Sequence, residues 1–298
     1  MKTNKPLSLL IVLLIYIVSF SAGAVVITAL SGLTPLLALF IGNITATVVV
    51  FIFNLILKNA SIYDPYWSVQ PLFIIGAMYW FYDPGFRLHH LLVLLPLAFW
   101  SFRLTINWMI GFDNLKWEDW RYKMYKVKFP KIAQLVVFTG IMMMPTILVF
   151  LGTIPIWHLL NAHTSLDANI SLDAKLSGII FPAIGGLIII LGTLLELFAD
   201  NQMRRYKADQ NRGPFIDEGL WRYSRHPNYL GEILIWAGVF AAGFENFHIT
   251  SIAGFTLIFL LFRFISIPMM EKHLLEKSGG YADYQKKVNI LFFGLRKN

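Results

Sequence analysis

Apolar residues recur along this chain in near-continuous runs of about 20, separated by short polar segments. The runs are continuous rather than alternating, which predicts membrane-spanning helices and not a barrel. Eight spans are expected, at 7–30, 36–57, 67–82, 88–110, 131–158, 176–199, 228–244 and 250–270. The third and seventh are the shortest. Several runs contain glycine and proline, which membrane helices tolerate. The pattern predicts an all-α, polytopic bundle of seven to eight transmembrane helices. No internal repeat or linker divides it, so residues 1–298 read as one transmembrane domain, with 1–59 as two additional N-terminal spans.

Composition agrees with that pattern. Of 298 residues, 57% are hydrophobic and only 14% charged, far from a soluble average. The net charge of +8 raises the question of nucleic acid. The placement of the cations answers it. All but four of the 25 Lys and Arg fall in the N-terminus, the segments 58–66, 111–131 and 200–227, and the C-terminal tail. These segments lie on one side of the membrane if both termini are cytoplasmic, so the bias is an orientation signal. The exceptions are Arg87, Lys175, Arg103 and Arg263. The expected location is a multi-pass position in a bacterial inner membrane. The expected partners are the bilayer and a hydrophobic small molecule, with no nucleic acid and no obligatory protein partner. There are no cysteines, which removes thiolate metal sites and disulfides. The apolar run after Lys2 and Lys5 continues past Ser19-Phe20-Ser21-Ala22, so an uncleaved span is expected rather than a signal peptide. Asn169-Ile170-Ser171 fits a glycosylation sequon.

Candidate chemistry lies where the polar pattern interrupts the spans. Arg103, Glu196, Glu232 and Arg263 sit within spans or at their edges. A charge at membrane depth costs about 2.5–3.5 kcal/mol, so such groups face each other as ties or line a polar cavity. Segment 200–227 begins Asp200-Asn201-Gln202-Met203-Arg204-Arg205 and runs into Arg225-His226-Pro227-Asn228-Tyr229-Leu230-Gly231-Glu232. Its cations suit anionic headgroups. Its carboxylates and amides gain nothing there. Cations beside carboxylates and amides suit a ligand with phosphates and hydroxyls or a carboxamide, such as a nucleotide. With no GxGxxG and no α/β pattern, such a nucleotide would bind without a Rossmann fold. Glu118 and Asp119 either cap a helix or close the cytoplasmic mouth of the cavity. Asp64, before Pro65, is either a turn residue or a carboxyl with a raised proton affinity. The histidines show no metal spacing, and no metal site is expected.

The run Gly219 to Glu232, with Trp236, resembles the C-terminal domain of steroid 5-alpha-reductases, and is most similar to the branch called DUF1295. Four further stretches share the resemblance: Glu118 to Tyr122; Glu196, Asp200 and Gln202; Arg263 with Ile267 to Glu271, Tyr281 and Tyr284; and Asp64-Trp67 with Trp100-Arg103. It covers about residues 60–293. It implies a membrane reductase that uses NADPH to saturate an activated C=C bond in a steroid, enone or polyprenoid. By position it implies Asp64 as the carbonyl-polarising acid, with Trp100 where the steroid enzymes have a tyrosine. An indole N–H donates a hydrogen bond but not a proton, so the phenol falls to Tyr63, Tyr66 or Tyr122; Tyr122 is taken with Asp64 and Trp100 as the catalytic set. The expected cofactor-binding residues are Arg103, Asp200, Gln202, Arg205, Tyr223, Arg225, His226, Asn228, Tyr229, Glu232 and Arg263, on the cytoplasmic side.

Two other classes remain open at this point. Isoprenylcysteine and phospholipid methyltransferases carry a similar RHPNY run and would use S-adenosylmethionine. A non-enzymatic lipid-binding or transport bundle would use its charges as gates.

Overall fold

The computed structural model describes residues 4–161 and 172–295. About 80% of the chain is helical, with no strand among the described residues. The sequon Asn169-Ile170-Ser171 lies outside them. Six helical stretches are long and apolar enough to cross a membrane: Lys5–Ala29, Pro35–Leu57, Leu88–Gly111, Ala133–Leu160, Leu176–Ala208 and Ile249–Lys277. The other two expected spans are helical but short, at 17 and 16 residues. At 1.5 Å per residue they reach only about 24–26 Å, below a ~30 Å hydrocarbon core.

The chain divides into two compact units. The first comprises Met1–Leu88 and Ala98–Ala162, the second His89–Leu97 and His163–Asn298.

In the first unit, α1 (Lys5–Ala29) starts at Asn4, whose side chain accepts the Leu7 N–H at 3.0 Å, an N-cap. Helix α2 (Pro35–Leu57) opens on proline and stops at Lys58 in the left-handed region. The two approach closely at Gly23 and Gly42, where a Cβ on either would meet the other's carbonyl oxygen at 2.7–2.8 Å. Small residues let membrane helices pack without a hydrophobic driving force. The opposite face of α1 presents Leu10, Leu13, Leu14, Ile17 and Val18 outward, as lipid requires. Helix α3 (Tyr66–Tyr82) follows a single 3-10 turn, Ala60–Tyr63. Helix α4 (Leu91–Gly111) contributes its second half to this unit. Segment 111–131 holds a short helix, α5 (Trp120–Lys128). Asp119 caps it by accepting the Arg121 N–H at 2.9 Å. The span expected at 131–158 is built from α6 (Ala133–Val136), a π stretch at Val137–Met143 and α7 (Met144–Leu160). Tyr16, Tyr63, Tyr66, Tyr122, Val50 and Met142 share the core of this unit.

In the second unit, α8 (Leu172–Ala208) is 37 residues long. The expected span ended at 199, but the helix runs on through Asp200, Gln202 and Arg205. No glycine or proline lies between residues 199 and 208, so neither breaker stops the helix where the apolar run ends. Helix α9 (Pro227–Ala242) packs against it through paired glycines, Gly185 with Gly238 and Gly192 with Gly231. Helix α10 (Ile249–Leu261), a π stretch at Phe262–Ser266 and α11 (Ile267–Lys277) follow in line, and α12 (Tyr281–Lys287) folds the tail.

Candidate active site

Asp64 is the best-built ionisable site of the first unit. It closes the 3-10 turn, its own N–H bonded to Ser61 O at 3.2 Å. Its side chain caps no helix. Instead Oδ1 accepts a short hydrogen bond from the Tyr122 hydroxyl. Arg121 lies 4.0 Å from the same oxygen. Asp119 holds that arginine at 2.7 Å, so one carboxylate both caps α5 and aims the cation. Glu118 anchors the segment by accepting the Ala60 N–H at 2.9 Å and pairing with Lys126 at 2.7 Å.

The Asp64 side chain keeps 13% of its surface exposed. Burial raises its pKa from 3.8 to about 7, and the Arg121 cation and the Tyr122 hydroxyl hold it back from going higher. Burial also lifts the Tyr122 phenol well above its ordinary value, and the Asp64 charge adds to that. The pair therefore retains protons near neutrality. Trp100 is fully buried, its ring edge-on to Trp67 at 6.0 Å. Tyr63 is turned inward, its hydroxyl donating to Met142 O at 2.7 Å. Among the three candidate phenols, Tyr122 is thus the one brought to Asp64. Arg103 is buried in α4.

In the second unit, residues 219–232 form a 3-10 turn at Gly219–Arg222 and then the start of α9. Gly219 has φ +58°, and a Cβ there would meet the Gln202 side chain at 2.6 Å. Gln202 accepts the Leu220 N–H at 2.9 Å, so it locks this turn to α8. Arg225 donates to Glu271 at 2.6 Å and to the carbonyls of Gln285 and Val288 at 2.7 and 2.6 Å. His226 lies 3.1 Å from Glu271 and stacks on Tyr229. Burial lowers the His226 pKa, favouring a neutral ring despite the Glu271 contact. Glu232 accepts the Trp236 indole N–H at 2.8 Å, both buried. Arg225, Gln202 and Glu232 are thus engaged within the fold.

Other expected residues remain more open. Arg205 and Tyr223 are exposed and Asp200 is half-buried. Arg263 lies in the π stretch, its guanidinium 5.2 Å from the Phe264 ring. Asn228, in the first turn of α9, has a buried Oδ1 with no partner among the described residues. That acceptor fits a ligand carboxamide or hydroxyl, which is the donor chemistry a nicotinamide dinucleotide offers. No cluster of three metal-ligating side chains occurs among the described residues.

Sequence reasoning singled out neither Arg121 nor Glu271 as a site residue. The signal for Arg121 was a charge next to Tyr122, and that for Glu271 was an acid at the end of the stretch from Ile267 to Glu271. It also passed over Asn43, Thr47, Gln70 and Thr146. Their signal was polar side chains at helical spacing inside apolar runs.

These features define a polytopic helical membrane protein with polar sites in each of its two units. The chain belongs to the DUF1295 family, described as proteins of unknown function, which it matches over residues 50–288. It is also similar to an uncharacterized protein of Schizosaccharomyces pombe, 28% identical over 297 residues, covering 86% of this chain and 78% of that protein. That relative is a yeast protein, so nothing in it favours a bacterial membrane. No solved structure matches the chain.

Proposed function

We propose that the protein is a membrane-embedded reductase of an activated C=C bond in a lipid-like substrate, with NADPH as donor. The observation carrying this reading is the Asp64–Tyr122 pair, a carboxyl with a pKa of about 7 beside a phenol raised further still. A carboxyl with a pKa of about 7 keeps a protonated fraction at neutrality, and that form can donate a hydrogen bond to a carbonyl oxygen. As negative charge develops on that oxygen, the proton on Asp64 and the nearby Arg121 cation stabilise it. Tyr122 donates to Oδ1, which leaves the second carboxyl oxygen to carry the proton. The bound cofactor would supply the hydride. Asn228 suits the carboxamide, and Asp200, Arg205 and Arg263 supply polar and cationic groups in the second unit. Arg225, by contrast, would have to exchange its bonds to reach a phosphate.

The test is equilibrium binding of NADPH and of S-adenosylmethionine to the purified full-length protein in detergent. The reading requires NADPH to bind, and Asn228→Ala and Arg263→Ala to weaken it while the protein stays monodisperse. Asp64→Asn should leave binding intact. Binding of S-adenosylmethionine alone would move the protein to the methyltransferase class, and binding of neither would leave a non-enzymatic lipid bundle.

A further inference from the structure

Among the buried polar atoms of the first unit that have no hydrogen-bond partner among the described residues are Asn43 Nδ2, Asn43 Oδ1 and Gln70 Oε1. Both side chains are at 0% exposure. Buried amides are almost always paired, because an unpaired one forfeits its hydration and regains nothing. An apolar side chain would cost the bundle less at either position, so the two amides need a reason.

Gln70 belongs to a polar network, and Asn43 borders it through its backbone carbonyl, which lies 3.2 Å from the Thr47 hydroxyl. The Thr47 hydroxyl lies 2.9 Å from that of Thr146 and donates toward the Tyr66 hydroxyl at 3.3 Å. Tyr63 lies 2.8 Å from the same Thr146 hydroxyl. Gln70 Nε2 donates to Thr146 O at 2.9 Å. Asn43 is one helical turn before Thr47 on α2, and Gln70 one turn after Tyr66 on α3. The two helices are joined by the short segment 58–65. Both amides therefore lie a turn deeper than the Thr47–Tyr66 link, about 6 Å by helical rise. A second feature marks the same place. Tyr63 bonds the carbonyl of Met142, inside the π stretch. Such bulges free a carbonyl from the helical ladder and recur at functional sites.

The unmatched atoms are one donor and two acceptors, none charged. A group that accepts from Asn43 Nδ2 and donates to either amide oxygen satisfies them, and a hydroxyl does both. Among the described residues, the groups bonded in this network are all neutral, which suits a neutral ligand group. We propose that Asn43 and Gln70 form a second binding site, which takes a hydroxyl on an apolar ligand. This rests on the proposed reductase reading, in which Asp64 of the first unit meets the substrate carbonyl. The substrate then carries a hydroxyl remote from its reacting carbonyl. The backbone is helical from Asp64 onward, so the six residues to Gln70 place the two sites about 9 Å apart along the helix.

A water molecule offers the same hydroxyl chemistry, and matched probes separate the two sources. The probes are two cyclohexenones with an eight-carbon chain, one ending in a hydroxyl and the other in a methyl. Their equilibrium binding to the purified full-length protein is compared. The hydroxyl probe should bind on the order of tenfold tighter, although it is the costlier of the two to desolvate. Asn43→Leu and Gln70→Met should each abolish that preference. Asp64→Asn should weaken both probes alike and leave the preference in place. The proposal is overturned if wild-type protein shows no preference, binds neither probe, or keeps its preference in both variants; the last outcome assigns the amides to internal water. The comparison on wild-type protein stands even if a variant fails to fold. Binding with preference but no NADPH-dependent reduction would refute the reductase reading and spare this one.

Discussion

Asp64→Asn is the most informative single change. In the folded chain the carboxyl has a pKa of about 7 against an ordinary 3.8. Each tenfold change in proton affinity is worth about 1.4 kcal/mol, so the difference corresponds to about 4 kcal/mol. The 13% exposure of the side chain makes that an upper value. The sign follows from proton counts. Below pH 3.8 both the folded and the unfolded chain hold the proton, and the group adds no pH dependence. Between about 4 and 7 the folded chain holds a proton that the unfolded chain releases, so stability falls as pH rises. Above 7 the full cost is present. Asparagine is neutral throughout and still accepts from the Tyr122 hydroxyl. The variant should therefore lose this slope and become more stable than wild type at pH 8, by up to about 4 kcal/mol. Denaturation in detergent micelles, followed by tryptophan fluorescence from pH 4.5 to 8, measures both quantities. Parallel pH curves, or a variant less stable at pH 8, would show that Asp64 is an ordinary ionised carboxylate, and the acid role would fall with it.

Three further outcomes are expected. Tyr122→Phe removes a hydroxyl that lowers the Asp64 pKa, so the fall in stability should begin at the same pH but extend to higher pH in the same assay. Gly231→Ala places a Cβ 2.7 Å from Gly192 O and 2.8 Å from Glu196 Cβ, and overpacking of this kind costs about 1–3 kcal/mol; an unchanged melting temperature would mean that α8 and α9 yield easily. Arg225→Met leaves two carbonyls without their donor and buried Glu271 without its cation, a loss of about 3–5 kcal/mol, and limited proteolysis should then cut first between residues 278 and 295.

The hydrophobic pattern was enough to place the helices. All eight expected spans are helical, because a run of about 20 apolar residues leaves the backbone few other options. It did not foresee that α8 would continue to Ala208, since polar residues end an apolar run without ending a helix. The candidate site was legible where one residue type implies one chemistry. Asp64 stood out as a carboxyl near membrane depth, and Tyr122 as one of three phenols within reach. Which phenol turns toward Asp64 depends on the cap at Asp119, a contact that spacing cannot reveal. The RHPNY run read as a ligand-facing cluster because adjacent cations in sequence suggest a cluster in space. In the fold, Arg225 and His226 turn instead to Glu271, 46 and 45 positions away. A pairing of that separation leaves no local trace.

The shape of residues 219–226 has a consequence for the order of synthesis. Arg225 is held by the carbonyls of Gln285 and Val288, Ser224 by that of Leu291, and the Trp221 carbonyl by the Tyr284 hydroxyl. Each of these partners is translated some 60 residues later. Until residues 284–291 are made, residues 221–226 lack these partners, and only the start of the segment is tied to α8, through Gln202. The part of the chain richest in ligand-like chemistry therefore takes its form only after the helices around it. A nascent chain halted before residue 284 should display the helices without the segment's native form.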